Sequence, residues 1–336
     1  MNRDAVYRLE TRPKRKIDPS KYAGFKFWVP KAIAEEDQNP KTQLWRGEPT
    51  EDDQRAERFR RVKFLRKYEK DNPLIRAIAD RLAACRRGNR CCSGACPECG
   101  WLLQRWFVRK SKAFISDVID KDDQQLVAIS IIPSQPFVAP DQLNHFSIDN
   151  LQRRLNFALD KIGLGAAIGG IDFSHNEDRD GKYDPIWSVH LYIITSIINE
   201  KHSKRLLKET YQSDDRIPRP IKVVDFNNSA RRRSYALKTI FWRRVGYDEV
   251  KADGRRCRNT KRQRLRVKEK LELFAFLNRC GLGGRVIFRG AKPSVRRGRV
   301  KIRPPGGSYQ ANAKKCQKTA KNAPRKASFR PRTLYL

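Results

Sequence analysis

Three apolar, β-branched runs between Leu126 and Ile198 restrict the possible folds of this chain more than any other feature. The first, Leu126-Val-Ala-Ile-Ser-Ile-Ile-Pro133, is almost continuously apolar, as a strand buried on both faces requires. Ser147 then opens a helical pattern in which Leu151, Leu155, Phe157, Leu159 and Ile162 alternate with Arg153, Arg154 and Lys161, and Gly163-Leu-Gly165 stops it. The other two runs, Ala166 to Ser174 and Trp187 to Ile197, flank the polar turn Asn176 to Gly181, so they form a tight hairpin. Downstream, the pattern predicts a helix over 201–212, a strand over 221–226, helices over 230–244 and 261–280, and a short strand at Arg285-Val-Ile-Phe288. This order predicts an α+β fold, a small antiparallel β-sheet with helices packed on one face.

The flanks differ in character. Residues 1–50 are polar, carry scattered aromatics and are interrupted by Pro13, Pro19, Pro30, Pro40 and Pro49, which predicts an extended, disordered arm that orders on binding. Residues 51–120 read as a helical region holding a cysteine cluster. Asp52-Asp53 opens the first helix, with Phe59, Val62, Phe64, Leu65 and Tyr68 as its apolar side, and Asn72-Pro73 breaks it. Leu74, Ile75, Ile78 and Leu82 mark a second helix, and Trp101 to Ile119 a third. Residues 121–290 form the main domain, and 291–336 a basic, disordered tail.

Charge decides the class of partner. Lys and Arg number 74 against 37 Asp and Glu, a formal net charge of +37. Such an imbalance attracts polyanions, and phosphate is the anion that the arginine fork matches. No apolar run approaches the roughly 18 residues of a membrane span. The N-terminus has no hydrophobic signal core. The sequence therefore reads as a soluble, cytoplasmic nucleic-acid-binding protein with no membrane partner.

Five of the eight cysteines, Cys85, Cys91, Cys92, Cys96 and Cys99, fall within residues 85–99. Cys96-Pro-Glu-Cys99-Gly100 has the form of a knuckle, with two thiolates three residues apart and a glycine that permits the turn. Tetrahedral zinc needs four such ligands, and Cys85 with either Cys91 or Cys92 completes the set. Unligated thiols are the alternative. The zinc would be structural, because four protein thiolates leave no open position.

Two further groups carry chemistry. On a strand, His190 and Tyr192 point to the same side, and Asp172 is an isolated carboxylate in the neighbouring apolar run. A divalent ion held by Asp172 and His190, with His175 and Glu177 as extra ligands, would partner that carboxylate. A core histidine hydrogen-bonded to an aspartate also accounts for the pair, and spacing alone favours it. In Ser229-Ala-Arg-Arg-Arg-Ser-Tyr235-Ala-Leu-Lys238, Tyr235 and Lys238 share a helical face. A phenol can attack a phosphodiester, an ammonium can offset the phosphate charge, and Arg231, Arg232, Arg233, Arg243 and Arg244 can grip neighbouring phosphates. The competing reading is an amphipathic helix whose arginines bind the backbone without chemistry.

The order of these elements resembles the HUH-endonuclease replication initiators of rolling-circle plasmids and phages. The resemblance runs over residues 85–245 and rests on Cys96-Pro-Glu-Cys99, Leu126 to Pro133, Gly170-Ile-Asp172-Phe, Trp187-Ser-Val-His190-Leu-Tyr192 and Tyr235-Ala-Leu-Lys238. It implies an HUH-like domain over 121–290. It also implies a catalytic Mg or Mn ion at Asp172, His190 and position 192, and a Tyr235 nucleophile assisted by Lys238. The DNA would be single-stranded or origin DNA, nicked and rejoined through a covalent phosphotyrosine that releases a 3′-hydroxyl to prime synthesis, and host replication proteins would be partners. The chain departs from the pattern at Tyr192, where the family has its second histidine. A catalytically inactive DNA-binding relative, and a basic RNA-binding protein with a zinc knuckle, are the alternative functions.

Overall fold

The computed structural model describes residues 42–70, 72–119, 124–134, 137–290, 292–296 and 299–303, the last two segments by their backbone. Three helices come first: α1 (Glu51–Lys67), α2 (Pro73–Ala83) and α3 (Pro97–Phe114), the last running into a wider π turn, Ile115–Ile119. Thr50 caps α1 reciprocally with Asp53, and Asn72 caps α2 ahead of Pro73. The buried side of α1 is Gln54, Arg58, Arg61 and Leu65, whereas Phe59 is 58% exposed. The apolar side predicted for α1 is thus not the side that is buried as a whole. Arg58 turns inward because Glu98 and the Leu82 carbonyl accept its guanidinium, at 2.6 and 3.0 Å.

The sheet contains β1 (Gln125–Ile131), β2 (Ala167–Asp178), β3 (Ile186–Ile197), β4 (Ile221–Asp225), β5 (Trp242–Val250), β6 (Arg256–Gln263) and β7 (Val286–Arg289). Helices α4 (Ile148–Lys161), α5 (Glu200–Thr210), α6 (Ala230–Ser234) and α7 (Val267–Cys280) connect them. Ser147 caps α4, as its sequence predicts. Strand order is β4-β1-β3-β2-β5-β6, with β7 also on β2. The fold is α+β, but the sheet is larger than predicted and mixed, since β2 and β5 run parallel.

Two predicted helices are shorter than expected. The helix predicted over 230–244 ends in a 3-10 turn at Tyr235–Leu237, and Trp242 onward is strand β5. The helix predicted from residue 261 begins at Val267, because 256–263 pairs with β5 as a hairpin. Gly254, at φ +76°, supplies the left-handed residue of that hairpin's turn. Helices also cover both faces of the sheet rather than one. Phe173 packs on Phe276 of α7 at 4.9 Å between ring centroids. From the opposite side Trp106 of α3 meets Phe288, which lies opposite Ile168 in the register.

At the predicted arm's end, Glu48 is buried and accepts from Trp101 Nε1 at 3.1 Å and from Arg105, so residues 42–50 pack on α3; residues 1–41 lie outside the described residues. At the other end, Lys292–Arg296 (β8) and Arg299–Arg303 (β9) form a two-stranded hairpin, which corrects the predicted tail up to residue 303. Residues 304–336 lie outside the described residues. One hydrophobic core runs from Leu65 and Ile78 through the sheet strands to Phe276 and Ile287. Among the described residues no helix is long and apolar enough to cross a membrane.

Candidate functional site

The cysteine cluster closes as a four-sulfur set. Cys96 is the residue before α3, Pro97 starts the helix, and Gly100 N donates to Cys96 O at 2.9 Å. This turn brings Cys96 and Cys99 back towards the loop after α2. Sγ of Cys85 lies 3.6 Å from that of Cys99 and 3.7 Å from that of Cys96, and Cys91 Sγ lies 3.7 Å from Cys99 Sγ. A tetrahedron with metal–sulfur bonds of about 2.3 Å has sulfur–sulfur edges of about 3.8 Å. The donor set therefore fits a zinc-like ion, and Cys85, Cys91, Cys96 and Cys99 could hold one. Cys92 is outside the set: its backbone sits at φ +53° and its thiol faces the Arg90 carbonyl. Between the two candidates left open by spacing, the fold selects Cys91. The knuckle also touches α7. A Cβ on Gly94 would lie 2.5 Å from the Leu277 carbonyl oxygen, so only glycine allows that approach.

The second site lies on the sheet. β7 pairs with the first part of one edge of β2 (167–170) and β5 with its last part (174–178), which leaves a gap at 171–173. Arg285 fills it. Its buried guanidinium donates to Ile171 O at 2.8 Å and to Lys238 O at 2.7 Å, satisfying a carbonyl that has no strand partner. The turn Tyr235–Leu237 rests directly on β2 at Gly170, where a Cβ would collide with the Ala236 carbonyl. From the other side α3 holds the same turn, through Gln104 Nε2 to Ser234 O at 2.8 Å and Arg233 Nε to Val108 O at 3.1 Å. Gly170, Arg285 and Gln104 thus position Tyr235 and Lys238. Sequence reasoning missed all three, though the Gly169-Gly170 pair inside a strand is a signal of close backbone approach.

The result is a cleft lined by Asp172, Ser174, Tyr235, Lys238, Ile240, Trp242, Arg244 and Arg262. Tyr235 is 45% exposed there. Lys238 Nζ lies 2.6 Å from Asp172 Oδ2 and 4.0 Å from the centre of the Tyr235 ring, so the predicted pairing of Tyr235 with Lys238 is present although the α-helix stops at Ser234. The other carboxylate oxygen, Asp172 Oδ1, is buried with no hydrogen-bond partner. His190 is opposite Asp172 in the register, and its Nε2 lies 2.9 Å from Ser174 Oγ. Ser174 Oγ donates to Asn176 Oδ1 at 2.8 Å, which leaves it to accept from His190 and puts the lone pair of a neutral imidazole on Nδ1. Burial holds His190 down to about 4 despite the nearby carboxylate, and pushes the Tyr192 phenol up to about 12. Tyr192 meets Tyr235 edge to face, with centroids 5.0 Å apart.

Other predicted site residues are elsewhere. His175 and Glu177 face the opposite side of β2 by strand alternation, so they cannot join Asp172 and His190 on one ion. They meet Glu269 of α7 instead, where Arg243 and Arg266 neutralise Glu177. Arg243 is consumed by Glu177 and Gln263, and Arg233 is buried against backbone carbonyls, so neither is placed to bind phosphate. Arg232 donates to Asp225 O, while Arg231 is exposed. Arg244 lies on the cleft side with Trp242, because both alternate with Ser174 and Asn176 on β2. Arg262, directly opposite Arg244 on β6, was missed because residues 261–263 read as helix. Among the described residues neither Arg244 nor Arg262 is in an ion pair.

Comparison of the chain with protein-family models, with curated proteins and with solved structures found no match.

Proposed function

We propose that the protein nicks and rejoins single-stranded DNA, as a replication initiator does, with Tyr235 as the nucleophile. The observation that carries this reading is the placing of a solvent-exposed phenol over an ammonium, on a cleft whose far wall is Trp242, Arg244 and Arg262. The chemistry follows from those groups. The two guanidiniums would hold phosphates beside the cleft, and Trp242 offers an aromatic face for a base. The Tyr235 oxygen would bond to phosphorus, the bond to the 3′ oxygen would break, and rejoining would reverse both events. Lys238 would offset the charge that builds on the phosphoryl oxygens. The cysteine set, at the start of α3, would be structural and would hold the helix that backs the Tyr235 turn. The test is formation of an adduct that survives denaturing electrophoresis, on a library of single-stranded oligonucleotides, and its loss in Tyr235→Phe.

A second reading has an observation of its own. At the position that implies a second histidine stands Tyr192, a phenol and a poor ligand for Mg or Mn. A protein that kept the basic cleft and lost the chemistry would bind DNA with steep salt dependence and form no adduct, with Tyr235→Phe indistinguishable from the native chain.

A further inference from the structure

We infer that the cleft works without a divalent metal, with the ammonium of Lys238 occupying the place and the electrostatic role of the ion. This rests on the proposal that Tyr235 attacks DNA. A divalent ion here would need Asp172, His190 and a third ligand. The third candidate is a phenol, and His175 and Glu177 are on the other face of β2. Among the described residues, the groups of three or more His, Cys, Asp or Glu side chains that could hold an ion are the four cysteines and His175, Glu177 and Glu269; neither group lies in the cleft. Asp172 is also already paired, with Lys238 Nζ at 2.6 Å from Oδ2.

The position of the lysine is fixed by the fold. Its carbonyl is held by Arg285, its side chain passes the Tyr235 ring, and the turn before it is seated on Gly170. A monovalent ammonium in that place carries less charge than Mg or Mn, and Arg244 and Arg262 on the same cleft supply the remainder. The step balances without an ion. The phenolic oxygen gains a bond to phosphorus, the departing 3′ oxygen takes the bonding pair, and the phenolic proton passes to solvent while solvent returns one to the 3′ oxygen.

The experiment uses the full chain with its zinc content verified, in buffer freed of Mg and Mn by a resin that does not strip the cysteine site. Adduct formation on a cleavable single-stranded oligonucleotide is expected to proceed there at a rate within about threefold of that with added Mn. Lys238→Met is expected to slow it by roughly 100-fold, the loss typical of removing one charge-stabilising group, and Lys238→Arg to recover part of it. Adduct that appears only with Mn or Mg overturns the inference and leaves the nicking reading intact. Absence of adduct under every condition overturns the nicking reading. The metal claim then stands or falls on a titration of the folded protein with Mn, followed by electron paramagnetic resonance. Native protein is expected to leave the free-ion signal undiminished by this site. Tight binding that Asp172→Asn removes would overturn the inference. As a positive control, Tyr192→His combined with Lys238→Met supplies an imidazole and frees the carboxylate, and should create Mn binding.

Discussion

The cysteine knuckle and the Tyr235 cleft both gather groups able to hold a cation, and they do so by opposite routes. In the knuckle four like donors arrive from fifteen consecutive residues, and their sulfurs settle at the corners of a metal-sized tetrahedron. In the cleft an imidazole, a carboxylate, a phenol and an ammonium arrive from two strands and a turn, and the ammonium takes the carboxylate. Local spacing alone nearly defines the first; register, strand alternation and a glycine contact define the second. The two are joined mechanically, since α3 begins at Cys96 and Pro97 and, about two to three turns on, holds Ser234 and Arg233.

The largest effect should fall on the knuckle. Cys99→Ser is expected to remove one equivalent of bound zinc and several kcal/mol of stability, a part of the ~10 kcal/mol that structural zinc can contribute to a small module. Cys92→Ser should keep both zinc and stability, as measured by metal analysis and urea unfolding. Equal losses in the two variants would break the distinction drawn between Cys91 and Cys92. Because α3 backs the Tyr235 turn, the Cys99 variant should also lose the cleft's function.

Next in size is the seat of the turn. Gly170→Ala forces the Ala236 carbonyl off β2 and is expected to reduce adduct formation by at least about tenfold, as small displacements of a reacting group do. Zinc content should stay at the native value. A fully active Gly170→Ala would show that the contact does not position Tyr235.

Breaking the ion pair should cost less. Asp172→Asn removes the counter-ion of a partly buried ammonium and is expected to lower stability by about 1–3 kcal/mol in denaturant titration. The pH dependence of stability carries a separate signature from His190. Its folded value, about 4, lies below the ordinary 6.5, so the unfolded chain binds more protons between those values. Stability should therefore fall as pH drops from 6.5 towards 4 and be unaffected by this residue above 6.5. His190→Gln should flatten that portion of the profile.

The smallest effects separate the arginines. Arg244→Ala and Arg262→Ala should each reduce the salt slope of single-stranded DNA binding by about 0.7, one phosphate's share, and leave stability near native. Arg233→Ala should do the reverse, with lower stability and an unchanged slope, because its guanidinium is spent on Val108 and Asn228 carbonyls.

What could be read from the sequence follows from how local each determinant is. The strands at 125–131, 167–178 and 186–197, the cap at Ser147 and the cysteine set were legible because each depends on neighbours within a few residues. The β5–β6 hairpin was hidden by its own charge. Trp242 to Gln263 offers few apolar positions for a period of two, and its Asp253-Gly254 turn was the remaining cue. The inward face of α1 was hidden because arginines fill it, one of them, Arg58, paired with a glutamate forty residues away. His175 and Glu177 were misplaced because the apolar pattern ends at Ser174, whereas β2 and its alternation continue to Asp178. Lys238 as the partner of Asp172 depends on a sixty-six-residue separation closed by the Gly170 contact, and no spacing rule reaches that far.

The central claim, that Tyr235 is a nucleophile towards DNA, is tested most directly by mass spectrometry of the protein after incubation with cleavable single-stranded oligonucleotides. A nucleotide-bearing peptide modified at Tyr235 is expected, and no such peptide from Tyr235→Phe. A folded, zinc-replete, DNA-binding protein that yields no modified peptide, or one modified at another residue, would contradict it.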